Sequence, residues 1–252
     1  MKATFKPFKV IGYIAIFSFA FLLQVRSCVT QLNWTDDGVL TDEYQSSLTL
    51  AEAKANAEAA GWSGPVFPPD YDVAWPPELA DPFSERKAEA DLPERNDEES
   101  LGKVLKLLND IGIEVVVVGD PNTDSKAREY CGIVSEELNA ETLLGAFQTP
   151  GSLQSDHAVL SLCNLEIDVE DTIRHESVHV AQWCNAGKPY YGVLPIGLEQ
   201  KHLTFGGYLY GMHVYGQTSN DAFAWAEAEA SSLAEVLSYD GVASLLSHYC
   251  LQ

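Results

Sequence analysis

Residues 171 to 185 read DTIRHESVHVAQWCN, placing two histidines four apart, His175 and His179, with Glu176 directly after the first. The chain has only 6 histidines among 252 residues, so this spacing arises by chance about once in a hundred such chains. On a helix, residues four apart stand one above the other on the same face, so two imidazoles at this spacing can reach one metal ion. Glu176 is turned about 100° from His175, which sets a carboxylate beside the ion where it can hold a water. The chemistry on offer is hydrolysis, in which zinc acidifies the water and polarises a carbonyl while Glu176 moves the proton. The bland alternative is a pair of satisfied surface histidines. Against it, Asp168 or Asp171 supplies an N-cap, and Asn185 with Gly187 supplies a stop, framing a single helix of about 17 residues. Val169, Ile173, Val180 and Cys184 fall on its opposite side and are expected to pack on a sheet.

A zinc site of this kind needs a third protein ligand and leaves the fourth position to water. Gln182 and Asn185 stand where an HExxHxxGxxH string would place its glycine and third histidine, so that class is excluded. Downstream, NDAFAWAEAEASSLAEVLS, from Asn220 to Ser238, predicts a second helix with two candidate ligands, Glu227 and Glu229. They flank the apolar stripe Phe223, Ala226, Ala230, Leu233 and Leu237 on opposite sides, so periodicity does not choose between them. Ala224 and Ser231, one turn from Glu227, permit close approach to the first helix, whereas Trp225 and Leu233 flank Glu229. The competing arrangement leaves both glutamates solvated and completes the site with His202 or His213.

These two segments together resemble the gluzincin zinc metallopeptidases, in which an HExxH helix is followed by a helix bearing a Glu ligand, in some families within a Glu-x-Glu-Ala string like EAEA here. The resemblance covers Asp168 to Ser238. It implies a zincin-like fold, bound Zn2+ with His175, His179 and Glu227 as ligands, Glu176 as general base, and a peptide or protein substrate. Some of these families carry Asp four residues after the third ligand, where this chain has Ser231.

The segment between the helices, KHLTFGGYLYGMHVYGQTSND, offers Tyr210, His213 and Tyr215 as donors to a developing oxyanion. Its Gly206, Gly207, Gly211 and Gly216 predict a flexible lid or a tight hairpin over the cleft. His157 and His248 have no motif around them and default to structural roles. Two function classes follow: an exported zinc-dependent metallopeptidase, or a non-catalytic cell-surface or structural protein on a zincin scaffold. Glu176 favours the enzyme, because a purely structural zinc site needs no carboxylate there.

The elements that must position these residues are legible in outline. EESLGKVLKLLNDIG repeats Leu and Val at helical spacing and stops at Gly112; IEVVVVGD follows as a β-branched strand, and LLGAFQT and HAVLSLC are shorter strand candidates. This order predicts an α+β fold, mainly helical, with a small sheet packed on the HExxH helix. A compact catalytic domain is expected over residues 96–252. Residues 28–95 form an acidic, Pro-rich arm or linker, within which LTLAEAKANAEAAG has the alanine-rich look of one helix ended by Gly61. Its prolines make GPVFPPDYDVAWPPELADPF extended, and its aromatics keep a docked arm or pro-segment in play beside a plain tether.

Residues 1–27 read as a signal peptide or a membrane anchor: Lys2, Lys6 and Lys9 precede the apolar run from Val10 to Leu23, shorter than the roughly 20 residues a membrane span needs. Lipidation at Cys28 is the least favoured variant, with Arg26 close before it. The chain is thus expected to be exported, to a periplasm, the extracellular space or the outer face of a membrane. There Cys131, Cys163, Cys184 and Cys250 form an even set for two disulfides, with three pairings open. A formal net charge of -22 excludes nucleic acid as a partner and disfavours anionic membrane surfaces other than through the N-terminal segment.

Overall fold

The computed structural model of the protein describes residues 49–68, 79, 98–138, 143–165, 169–211 and 222–251. The expected signal or anchor segment, most of the arm, and His213 and Tyr215 lie outside the described residues. The described residues form eight α-helices and a three-stranded sheet: α1 Leu50–Ala59, α2 Glu98–Ile111, β1 Ile113–Val117, α3 Asp124–Leu138, β2 Gly145–Gln148, α4 Pro150–Leu153, β3 Ala158–Leu162, α5 Val169–Asn185, α6 Phe205–Leu209, α7 Ala222–Val236 and α8 Tyr239–Cys250. The architecture is α+β and mainly helical. The zincin-like form of it remains an expectation.

The sheet has the order β1-β3-β2, with β3 parallel to β1 and antiparallel to β2. β3, AVLSL, is buried at every position because it is the central strand, which explains why it lacks alternation. β2 lies against α5, and the approach is tight: a Cβ on Gly145 would stand 2.5 Å from Thr172 Cγ2 and 3.4 Å from Glu176 Cγ. Gly145 therefore sets the distance between the outer strand and the motif helix.

α5 is the axis of the molecule. Ile173, Val180 and Cys184 enter the main core as expected, together with Val178, Ala181 and Trp183, so apolar residues occupy more than one face. α7 and α8 pack along it, with α2 against α8. Of the two proposed caps, Asp171 lies inside the first turn and pairs with Arg174, and Asp168 is outside the described residues. The stop is as read, with Gly187 at φ +80° after Asn185. Two elements without a sequence expectation are α3, between β1 and β2, and α8, which Ser238 caps through the Gly241 N–H.

The acidic arm is docked where it is described. The side chain of Thr49 and the side chain of Glu52 form a reciprocal capping box at the start of α1. Ala53 and Ala57 are buried against Tyr190 and Tyr191, Trp62 packs on Tyr190, and Phe67 stacks on Tyr191. The N–H groups of Tyr190 and Tyr191 donate to the carbonyls of Pro65 and Val66 at 2.8 and 2.9 Å. After the turn at Gly61, residues 62–68 carry bends at 64, 66 and 67 and are attached to the domain by backbone hydrogen bonds and aromatic stacking; the rest of the stretch expected to be extended, apart from residue 79, lies outside the described residues.

Two disulfides join Cys131 to Cys163 and Cys184 to Cys250. The first ties α3 to the residue following β3; the second ties the end of α5 to the end of α8. Such bridges belong to an oxidising compartment outside the cytosol. Among the described residues no helix is long and apolar enough to cross a membrane.

Candidate metal centre

α5 brings His175 and His179 to one side and α7 brings Glu227 opposite them. The Nε2 atoms of the two histidines are 3.0 Å apart, and each lies 3.4 Å from a Glu227 carboxylate oxygen. His175 faces Oε2 of Glu227 and His179 faces Oε1, and one ligand atom from each of the three residues lies within 4.8 Å of the others, a spacing of the order of the roughly 3.3–3.5 Å between ligand atoms around a tetrahedral zinc with bonds of about 2.0–2.2 Å. Two imidazoles and a carboxylate also suit zinc and its transition-metal neighbours rather than the all-oxygen preference of calcium or magnesium. The group His175, His179 and Glu227 could hold a metal ion.

Without an ion the three groups compensate one another. Burial alone would push the His179 imidazole down, but the Glu227 carboxylate, with Glu176 and the Gln182 hydrogen bond, outweighs it and raises His179 to about 9. Burial pushes Glu227 up, and the adjacent His179 and His175 overturn this, bringing it down to about 2. A proton held between His179 and Glu227 occupies the space an ion would take.

Glu229 lies elsewhere. It is wholly buried, and its two oxygens accept from the N–H groups of Ile196, Gly197 and Leu198 at 2.7, 2.9 and 2.7 Å and from Gln182 Nε2 at 3.1 Å. Burial raises this carboxyl to about 7 against the pull of those donors. Its two-residue offset from Glu227 turns it away from the histidines and onto the loop that follows α5. His202 sits in a short 3₁₀ turn, Gln200–His202, and is not a member of the ligand cluster.

No family model, curated protein or solved structure matches this chain. The nature of the centre therefore rests on its own chemistry.

Glu176 lies on α5 beside the ligands, and one of its oxygens accepts the Phe147 N–H of β2 at 2.7 Å. Ser231, where a family-like aspartate was missing, places Oγ 3.4 Å from His175 Nδ1. Tyr210 presents its ring edge-on to His175 with centroids 6.1 Å apart. The glycines around it are not hinges: a Cβ on Gly207 would lie 2.2 Å from Ser232 Oγ, and one on Gly211 would lie 2.4 Å from the Ala224 carbonyl. They let α6 sit directly on α7, which carries Tyr210 to the site as part of a packed helix pair. Beside the ligands opens a small cleft of about 40 Å³, lined by Phe147, Thr149, Ser152, His179, Val193 and Glu227 among others.

His157 and His248 are remote from the centre, His157 bridging Ser155 and Glu114 and His248 lying edge-on to Tyr249. The residue that sequence reading passed over is Gln182. It was noted only as a mismatch to another motif, yet it touches His179, Glu229 and the α7 backbone. Its position three residues after His179, on the same face of α5, is the signal that was available.

Proposed function

We propose that the chain is an exported zinc-dependent peptidase, with His175, His179 and Glu227 as metal ligands and Glu176 as general base. The observation that carries the reading is the cluster of His175, His179 and Glu227, whose ligand atoms lie within 4.8 Å of one another, beside the Glu176 carboxylate on the same helix as the histidines. Zinc bound there supplies Lewis-acid polarisation of a peptide carbonyl and acidifies water.

The protein's own groups do the rest. The Phe147 N–H fixes the Glu176 carboxylate through one oxygen, and the second can take a proton from water and return it to the leaving amine. The Tyr210 phenol is the described candidate for stabilising negative charge on the carbonyl oxygen, alongside His213 and Tyr215. The adjoining cleft, with Phe147, Val193 and Phe223 around the Thr149 and Ser152 hydroxyls, offers space for a substrate side chain.

The non-catalytic reading draws on that same Phe147 hydrogen bond, since a carboxylate can be retained simply to satisfy an outer-strand N–H. Glu176→Gln separates the two. The amide oxygen can still accept from Phe147 and the ligands are untouched, so metal content should stay at one ion per chain. Chelator-sensitive cleavage of a quenched peptide library should drop by about 10²- to 10⁴-fold. Cleavage at the parent rate would remove Glu176 from the mechanism, and a parent protein that binds metal without cleaving any peptide would favour the scaffold.

A further inference from the structure

We infer that Gln182 is a positioning residue for the metal centre: its side-chain oxygen holds His179 with the proton on Nδ1 and Nε2 facing the ion, and Glu229 in turn locks Gln182. The inference rests on the metal site proposed above and adds to it a residue that no ligand motif contains.

The two ends of the Gln182 amide are told apart by their partners. One end lies 2.9 Å from the Ala226 carbonyl and 3.1 Å from Glu229 Oε2. A carbonyl and a carboxylate only accept, so the NH₂ must point there; the reversed amide would set an oxygen against two oxygens. The other end, which is 2.7 Å from His179 Nδ1, is therefore Oε1. An amide oxygen has no proton to give, so Nδ1 must carry the hydrogen. A ligating imidazole is neutral and has one N–H, so with an ion in place the lone pair falls on Nε2, the atom 3.4 Å from Glu227 and 3.0 Å from the His175 ring.

Gln182 itself has no freedom to depart from this arrangement. It is fully buried, and Glu229 is clamped by three consecutive backbone N–H groups of residues 196–198. The chain of contacts runs from the loop backbone through Glu229 and Gln182 to His179, a carboxylate–amide–imidazole series in which every donor has one acceptor. Among the described residues His175 has no such amide partner, and its Nδ1 meets the Ser231 hydroxyl at 3.4 Å. His179 is thus the fixed ligand and His175 the adjustable one.

The test replaces Gln182 with Met, which keeps length and volume and removes both polar ends. Zinc affinity, measured by competition with a chromophoric chelator, should weaken by about 10- to 100-fold, as expected when an outer partner of a ligating histidine is lost. Long-range ¹H–¹⁵N spectra of the zinc-loaded proteins supply a readout that a merely structural role would not move. In the parent, His179 should be a single species with Nδ1 protonated and Nε2 bound to the ion, its Nδ1 proton slow to exchange. In the Met variant that proton should exchange rapidly. Should the variant not fold, the spectrum of the parent alone decides, since a metal bond from His179 Nδ1 would overturn the inference. Unchanged affinity with unchanged proton exchange in a folded variant would also overturn it while leaving the metal site standing. A parent protein that takes up no zinc would remove both readings.

Discussion

Glu227 and Glu229 sit two residues apart on α7 and serve opposite ends. Glu227 faces the two histidines, and Glu229 holds the loop after α5 by three backbone N–H groups. Substituting Gln at 227 should cost metal affinity, and in the metal-free protein it also removes the ion pair with His179. Substituting Gln at 229 sets an NH₂ group against N–H donors and should cost about 2–4 kcal/mol in denaturant unfolding, since each buried donor left without an acceptor costs about 1–3 kcal/mol. Reversed results would exchange the two roles. A pH effect belongs to the same residues. Because His179 is raised from 6.5 to about 9, its ion pair stabilises the metal-free fold fully below pH 6.5, and that contribution is lost as pH rises through about 9. Metal must displace that proton, so affinity should rise with pH up to about 9, with about one proton released per ion at pH 7. Calorimetry in two buffers of different ionisation enthalpy reads this directly, and uptake with no proton released would mean a neutral His179. Sequence alone placed His175, Glu176 and His179 because four-residue spacing is a local property. Periodicity did not choose between Glu227 and Glu229, and the preference for Glu227 came from its small neighbours and the family resemblance; what divides the two in the fold is a loop some 30 residues earlier, which no periodicity records.

At the scale of elements, glycine positions show how much is set by close approach. Gly207 has Ser232 N at 2.7 Å and the Ala228 carbonyl at 2.8 Å from where a Cβ would stand, both backbone atoms that cannot swing aside. Gly207→Ala should therefore separate α6 from α7, cost about 1–3 kcal/mol, and draw Tyr210 away from His175. Gly102, inside α2, has nothing within 4 Å, and Gly102→Ala should stabilise by about 0.5–1 kcal/mol through the better helix former. Thermal melts of the two variants should shift in opposite directions; a shared direction would mean that α6 is not packed as described. The β-branched run of β1 and the Leu-Val repeat of α2 were legible because each carries its own period. α3 was not, since DSKAREYCGIVSEEL covers the sheet with only Ala127 and Val134 deeply buried. α8 had a readable signal in Ser238 and in Val242, Leu245 and Leu246, at helical spacing. The glycine-rich segment misled because small residues look alike whether they bend a chain or admit a neighbouring helix.

Across the whole molecule, the two disulfides and the docked arm decide how the parts hold together. The four bridged cysteines were expected as a set, and their pairing could only come from the fold, since Cys184 and Cys250 lie 66 residues apart. Each bridge should contribute about 2–4 kcal/mol, so reduction under native conditions should lower the midpoint of unfolding, and peptide mapping should recover Cys131 with Cys163 and Cys184 with Cys250. Any other pairing would contradict the packing of α5 against α8. The separation of those two bridges also sets an order in time. Cys131 and Cys163 both precede the motif helix, so a chain threaded through a membrane from its N-terminal side can close that loop while α5 is still emerging. The second bridge must wait for some 65 residues beyond the end of α5, and Glu227 and Glu229 for some 40. Through that interval α5 holds Arg174, Glu176, His179 and Gln182 without the helix that will enclose them, and their polarity keeps the waiting segment wet. The side chains of the candidate metal centre thus stay hydrated until α7 covers them.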